Sequence, residues 1–170
     1  MKSTASNLWV VNASPLILLA KIGRVGLLTQ LSDRLVVPQA VWDEVMAGPD
    51  NDPARLFLST KPIEPLSVTP DPQIVQWDLG AGETAVLSYA RQNLGWRVVV
   101  DDGAARRCAE TLGLPLAGTL AIVIAAKQKG LVPMIVPILQ QLLLAGYRID
   151  EAMLRRVLPV AVGEQWPPTA

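Results

Sequence analysis

The chain contains no histidine. That absence excludes Ser–His–Asp and Cys–His catalysis, histidine general bases and the usual histidine-bearing zinc sites. Any chemistry must come from carboxylates, hydroxyls, amines or a metal. A single cysteine, Cys108, leaves no internal disulfide and points to a reducing compartment. There is no excess of either charge: 15 basic residues face 15 acidic ones. Nothing therefore pulls the whole molecule toward nucleic acid or membrane, and nucleic-acid binding would need a local patch. Long apolar runs are also missing. The most apolar late stretch, 131–144, is broken by Pro133, Pro137, Gln140 and Gln141 and is too short for a bilayer. The polar lead before "LWVV" has neither the apolar region nor the cleavage pattern of a signal peptide. These features lead us to expect a cytoplasmic protein.

What is present is apolar and regularly punctuated. Of the 170 residues, 51% are hydrophobic, enough for one domain with a sizeable core. We expect that domain over 1–160 and a frayed C-terminal tail over 161–170. "LWVVN", "RLVVP", "IEPLSV", "WRVVVDD" and "LPLAG" read as short strands, the third an edge strand because of Pro65. Helical stretches separate them: "SPLILLAKI" with Ser14 as cap and Pro15 in the first turn, "VGLLTQL", "QAVWDEVMAG", "GAGETAVLSYARQNLG", "GAARRCAETLG" and "TLAIVIAAKQKG" with Thr119 as cap. "PILQQLLLAG" and "DEAMLRRVL" complete the helices. Continuously apolar strands alternating with helices predict an α/β fold, a three-layer α/β/α sandwich around a parallel sheet of roughly four to five strands.

Ligands of such sheets bind at the carboxyl ends of the strands. Polar residues converge there: Asn12 and Ser14 after the first strand, Asp101 and Asp102 after "VVV", Gly118 and Thr119 after the next. Glu44 and Glu83 lie on helices, Glu83 in a first turn where an anion is favoured. Each alone has a plainer reading. Aspartate after a strand is a common helix cap, Glu44 beside Asp43 suits a solvated face, and Ser14 and Thr119 are adequate caps. Together they are costly unless a cation neutralises them. With oxygen donors only, Mg²⁺ or Mn²⁺ is the expected ion, and phosphodiester hydrolysis the expected chemistry.

The ordered set "VVNASPLILLAKIGRVGLL", "LVVPQAVWDEV", "LGAGETAVLSYA", "VVVDDGAARRCAETLGLPLAGTLAIVIAAKQKGLV" and "LLLAGYRIDEAMLRRVL" resembles the PIN domain superfamily, in particular a branch of PIN-like proteins similar to VapC-type toxins. The resemblance implies Mg²⁺- or Mn²⁺-dependent cleavage of RNA, with an antitoxin protein as partner. It places metal ligands at the ends of two strands and on two helices. On this chain these are Asn12, Glu44, Glu83 and Asp102, with Asp101 as neighbour and substitute for the last. Ser14 and Thr119 fall where hydroxyls assist. Active relatives usually end the first strand in aspartate; Asn12 keeps a carbonyl oxygen but removes a charge.

Two functions follow. One is an endoribonuclease, with Arg106, Arg107, Lys21 and Arg24 holding the RNA backbone and Arg91 and Arg97 as further candidates. The other is a degenerate PIN-like module that binds a protein or RNA without cutting. The apolar excess of 131–146 suits a homodimer interface, a groove for a partner peptide, or the core. A phosphatase or phosphotransfer receiver is disfavoured, because its nucleophilic aspartate is replaced by Asn12.

Overall fold

The computed structural model describes residues 6–168. Five strands, β1 (Leu8–Val11), β2 (Arg34–Pro38), β3 (Pro65–Leu66), β4 (Trp96–Val99) and β5 (Leu116–Ala117), form one parallel sheet in the order β3-β2-β1-β4-β5. Ten helices flank it: α1 (Ala13–Lys21), α2 (Leu27–Leu31), α3 (Gln39–Met46), α4 (Pro53–Thr60), α5 (Pro72–Val75), α6 (Ala81–Gln92), α7 (Gly103–Thr111), α8 (Thr119–Gln128), α9 (Val136–Leu144) and α10 (Glu151–Val162). The expected α/β/α sandwich is the fold observed.

β1 lies in the middle because its residues are apolar on both sides. Val10, Val11, Val98 and Val99 are completely buried, as central parallel strands require. Register divides the two faces. Leu8 pairs with Trp96 and Val10 with Val98, while Trp9 pairs with Arg97 and Val11 with Val99. α6 lies on the first face, where Tyr89 meets Trp96 edge-on at 5.0 Å between ring centroids. α2 and α8 lie on the second, with Leu31 and Ile122 beside Trp9. Cys108 is fully buried on α7. β3 is a two-residue edge strand, as Pro65 demands.

Two helices, α4 and α5, lie where the sequence pattern marks none. Each begins at an aspartate followed by proline. Asp52 accepts from the Ala54 amide at 2.8 Å and Asp71 from the Gln73 amide at 2.9 Å. A carboxylate cap with proline in the first turn is a strong start signal.

The apolar excess of 131–146 goes mainly into the core: Ile135, Leu139 and Leu142 are inaccessible, while Leu131, Met134 and Leu144 face outward. The segment 161–168 departs from the frayed tail expected there, and 169–170 lie outside the described residues. Gly163, at φ 69°, ends α10 in the left-handed region and turns the chain back. Glu164, only 7% exposed, then accepts from the Ile135 and Val136 amides, each at 2.9 Å, and pairs with Lys127 Nζ at 2.6 Å. It supplies the anion that the start of α9 lacks. Trp166 is buried and donates Nε1–H to Glu151 at 3.0 Å. One buried acid and one indole thus anchor a segment whose prolines and polar residues read as loose.

Burial alone would raise the Glu164 carboxyl; the bonds from Lys127, Val136 and Ile135 outweigh it and hold the group below the ordinary glutamate value. A depressed acid contributes stability above its unfolded value and loses it as pH falls through the folded one. Glu164→Ala should therefore cost about 2–4 kcal/mol at neutral pH in urea unfolding, and the difference from the parent should shrink below the ordinary glutamate range.

Candidate active site

The loops at the carboxyl end of the sheet carry most of the expected site. Asn12 follows β1, is 2% exposed, and donates its backbone N–H to Val99 O at 3.0 Å. This ties the residue to the two central strands. Its Nδ2 donates to Glu83 Oε1 at 3.0 Å. Its Oδ1 is buried with no hydrogen-bond partner. An orphaned buried acceptor costs about 1–3 kcal/mol, and such groups call for an explanation.

The glycines of "LGAGE" make this arrangement possible. A Cβ on Gly82 would lie 2.8 Å from Asn12 Oδ1 and 3.2 Å from Glu44 Oε2. A Cβ on Gly80 would collide with Glu83 Oε2. The backbone is bare at Gly80 and Gly82 so that Asn12, Glu44 and Glu83 can crowd around it. Glu83 sits in the first turn of α6, where the helix dipole favours an anion. Glu44, on α3, has its carboxyl raised by partial desolvation and then by the charge of Glu83. The two acids therefore sense each other's charge.

Asp101 and Asp102 are adjacent in the chain but turn to different helices. Asp101 accepts from the Thr119 amide at 2.7 Å and from the Thr119 hydroxyl at 2.5 Å, at the start of α8. Asp102 is the N-cap of α7 and accepts from the Ala105 amide at 2.9 Å. Each carboxylate is stabilised by a different positive helix end, which offsets their repulsion. Thr119 does not cap α8 as expected; Gly118 takes that position, and Thr119 is a buried donor to Asp101. Ser14 is not a cap either. Asn12 holds the N-cap position of α1, and Ser14 is exposed within the helix.

A cleft of about 310 Å³ joins Asn12, Ser14, Leu18, Glu83, Asp101 and Asp102 to Tyr147 and Arg148. The last two were missed in the sequence. They follow Gly146, whose φ of 104° turns the chain from α9 back toward the sheet edge. No spacing rule points from that turn to the acids. The Tyr147 hydroxyl accepts from the Leu120 amide at 3.3 Å, and burial, then the charge of Asp101, holds it protonated far above the usual tyrosine range.

The basic residues divide. Arg106 lies in the first turn of α7 and donates to Val100 O at 3.3 Å, beside Gly118. Arg107 is exposed next to it. Lys21 ends α1 beside Leu144 and Ala145, outside the acidic cleft, and Arg24 is exposed beyond it. Arg91 is paired with Asp71 at 3.2 Å, and Arg97 borders a cavity with Trp9 under α8.

Among the described residues no three acidic side chains, as they stand, are disposed to hold a metal together. The donors nonetheless fit a hard divalent ion in kind. All are oxygens, and the orphaned Asn12 Oδ1 stands by Glu44 Oε2 across the bare Gly82.

A five-stranded parallel sheet in the order β3-β2-β1-β4-β5, with acids gathered over its carboxyl edge, defines a nuclease-type α/β/α fold. A family profile described as a PIN domain matches residues 8–163, and the chain belongs to the PIN-domain family. Members of that family generally use divalent metal ions. A comparison with curated proteins finds no match. Among the described residues no helix is long and apolar enough to cross a membrane.

Glycine substitutions test this packing directly. Gly82→Ala should destabilise the protein by about 1–3 kcal/mol in urea unfolding, because overpacking outweighs the roughly 1 kcal/mol gain in helix propensity. Gly26→Ala, where an added Cβ meets nothing within 4 Å, should be neutral or slightly stabilising.

Proposed function

We propose that the chain is a divalent metal-dependent endoribonuclease, the toxin of a toxin–antitoxin pair, in which an amide stands among the metal-binding acids. The observation that carries this reading is the orphaned Oδ1 of Asn12 against Glu44 and Glu83. Asn12, Glu44, Glu83 and Asp102 would hold Mg²⁺ or Mn²⁺. Of the two adjacent aspartates, Asp101 spends both oxygens on Thr119, whereas only one oxygen of Asp102 is engaged by the Ala105 amide. When bound, the ion supplies the positive charge and Lewis acidity that phosphodiester hydrolysis requires.

The protein's own groups do the rest. Glu83 fixes the Asn12 amide so that its carbonyl faces the acids. Asp101 holds the Thr119 hydroxyl, and Ser14 offers an exposed hydroxyl on the cleft wall. Arg148 and Arg106 border the acids and give the RNA backbone its positive contacts. An antitoxin protein would act by covering this edge.

The second reading, a PIN-like module that binds without cutting, has one observation in its favour. The Asn12 Nδ2–Glu83 bond satisfies an acid without any cation.

Titration calorimetry with Mn²⁺, on the protein and on Asn12→Asp, separates the two. The nuclease reading expects binding to both, tighter in Asn12→Asp by about tenfold for the added charge. Binding confined to Asn12→Asp leaves the non-cutting module. On an RNA substrate with Mn²⁺, Glu83→Gln should lower cleavage by at least about a hundredfold while the urea midpoint stays near that of the parent.

A further inference from the structure

Arg148 and Tyr147, together with Asp101, border a second cavity of about 340 Å³ on the far side of Asp101 from Glu83. That volume is at the small end of ligand sites, roughly 300–1,000 Å³. Its walls come from three places. α8 contributes Leu120, Ala121 and Ile124, the turn into α10 contributes Ile149 with Met153 beyond it, and α7 contributes Arg106. The lining is aliphatic except where it meets the acidic cleft. There it is flanked by two guanidiniums, Arg106 and Arg148, neither of which forms an ion pair among the described residues.

The cavity depends on Gly118. A Cβ there would lie 2.7 Å from Arg106 Nη1 and 2.9 Å from Asp101 Oδ1. Without one, the arginine fits between Val100 O and the start of α8 and keeps its positive head beside Asp101. Tyr147 closes the boundary between the two cavities, its hydroxyl anchored on the Leu120 amide. The hydroxyl accepts that bond and retains its own proton for a further acceptor.

We infer that this cavity is a nucleoside subsite: it receives the base of the nucleotide next to the phosphate held over the acids, with Arg106 and Arg148 on the intervening backbone. An apolar pocket that shares Asp101, Tyr147 and Arg148 with an acidic cleft, with Arg106 and Arg148 where the two meet, matches the alternation of a nucleic-acid strand, flat base and then phosphate. Apolar contact with the aliphatic walls reads the base face, while buried Tyr147 only closes the floor, so the subsite favours single-stranded RNA and, among bases, the larger ones. This assignment rests on the nuclease reading above and adds to it the part of the substrate that is gripped beyond the phosphate.

The test uses two labelled single-stranded octamers, oligoadenylate RNA and the same backbone with every base removed. Both are measured by fluorescence anisotropy in calcium buffer. Ala121 is exposed on α8 at the rim of this cavity and of the one beside Trp9, so Ala121→Trp narrows the cavity mouth without entering the core. It should weaken oligoadenylate binding by roughly tenfold and leave the abasic backbone unchanged. Arg148→Gln should weaken both oligomers alike and lower the salt dependence of binding by about one counterion. Protein that cleaves RNA while Ala121→Trp leaves both affinities unchanged, or lowers both equally, overturns the subsite alone. Protein that binds neither oligomer and cleaves no RNA with Mn²⁺ overturns the nuclease reading and the subsite together.

Discussion

One buried amide organises the carboxyl edge of the sheet. Asn12 ends the central strand, is pinned to Val99 through its backbone, and gives its side-chain N–H to Glu83. Its carbonyl is left facing Gly82 and Glu44 with no donor. An aspartate in the same place would stand against two further acids with nothing to share. The amide removes one charge and converts one repulsion into a hydrogen bond, at the cost of an unsatisfied acceptor. Gly80 and Gly82 follow from this, since any side chain there would strike the carboxylates or the amide. Glu44 shows what remains: its carboxyl is raised by burial and then by the charge of Glu83 across the gap.

The paired aspartates after β4 solve a related problem differently. Adjacent residues leaving a strand point in divergent directions, and two helices begin nearby. Asp101 takes the start of α8 and Asp102 the start of α7. Their charges are thereby fixed by backbone amides and a threonine hydroxyl rather than by cations. Asp101 is also the wall shared by the acidic cleft and the aliphatic cavity, so its hydrogen bonds set the geometry of both.

How much of this was legible follows from the range of each interaction. The strands were readable because apolar runs buried on two faces are a local property. Glu83, Asp101 and Asp102 stood out because each sits at a strand end or first helical turn, places with their own sequence marks, whereas Glu44 lies in the second turn of α3 and has none. Asp102 is the cap its plain reading makes it, and it also lines the cleft. Gly80 avoids Glu83, three residues on, but Gly82 could not be understood locally, because what it avoids lies 70 and 38 residues away, at Asn12 and Glu44. Tyr147 and Arg148 were missed for the same reason, and so was Glu164, whose partners are on α8 and at the start of α9. α4 and α5 are different. Their Asp-Pro starts are local signals that outweigh the polar composition around them.

The charge distribution gives the last step. The chain as a whole is neutral, so RNA is not drawn to it from a distance. The carboxyl edge of the sheet is worse than neutral, with Glu44, Glu83, Asp101 and Asp102 gathered where a phosphate would have to sit. Arg106 and Arg148 offset only part of that charge, and they do so on one side, beside the aliphatic cavity. On the proposed reading, a phosphodiester reaches the acids only when a cation already neutralises them, and a cation is held better when a phosphate adds to its oxygens. Each ligand then raises the affinity of the other by the same factor, as linkage requires. Replacing aspartate by Asn12 lowers the repulsion the RNA must overcome and the attraction the cation feels, by the same single charge. An edge built this way depends on its two ligands arriving together more than one with a full set of acids would.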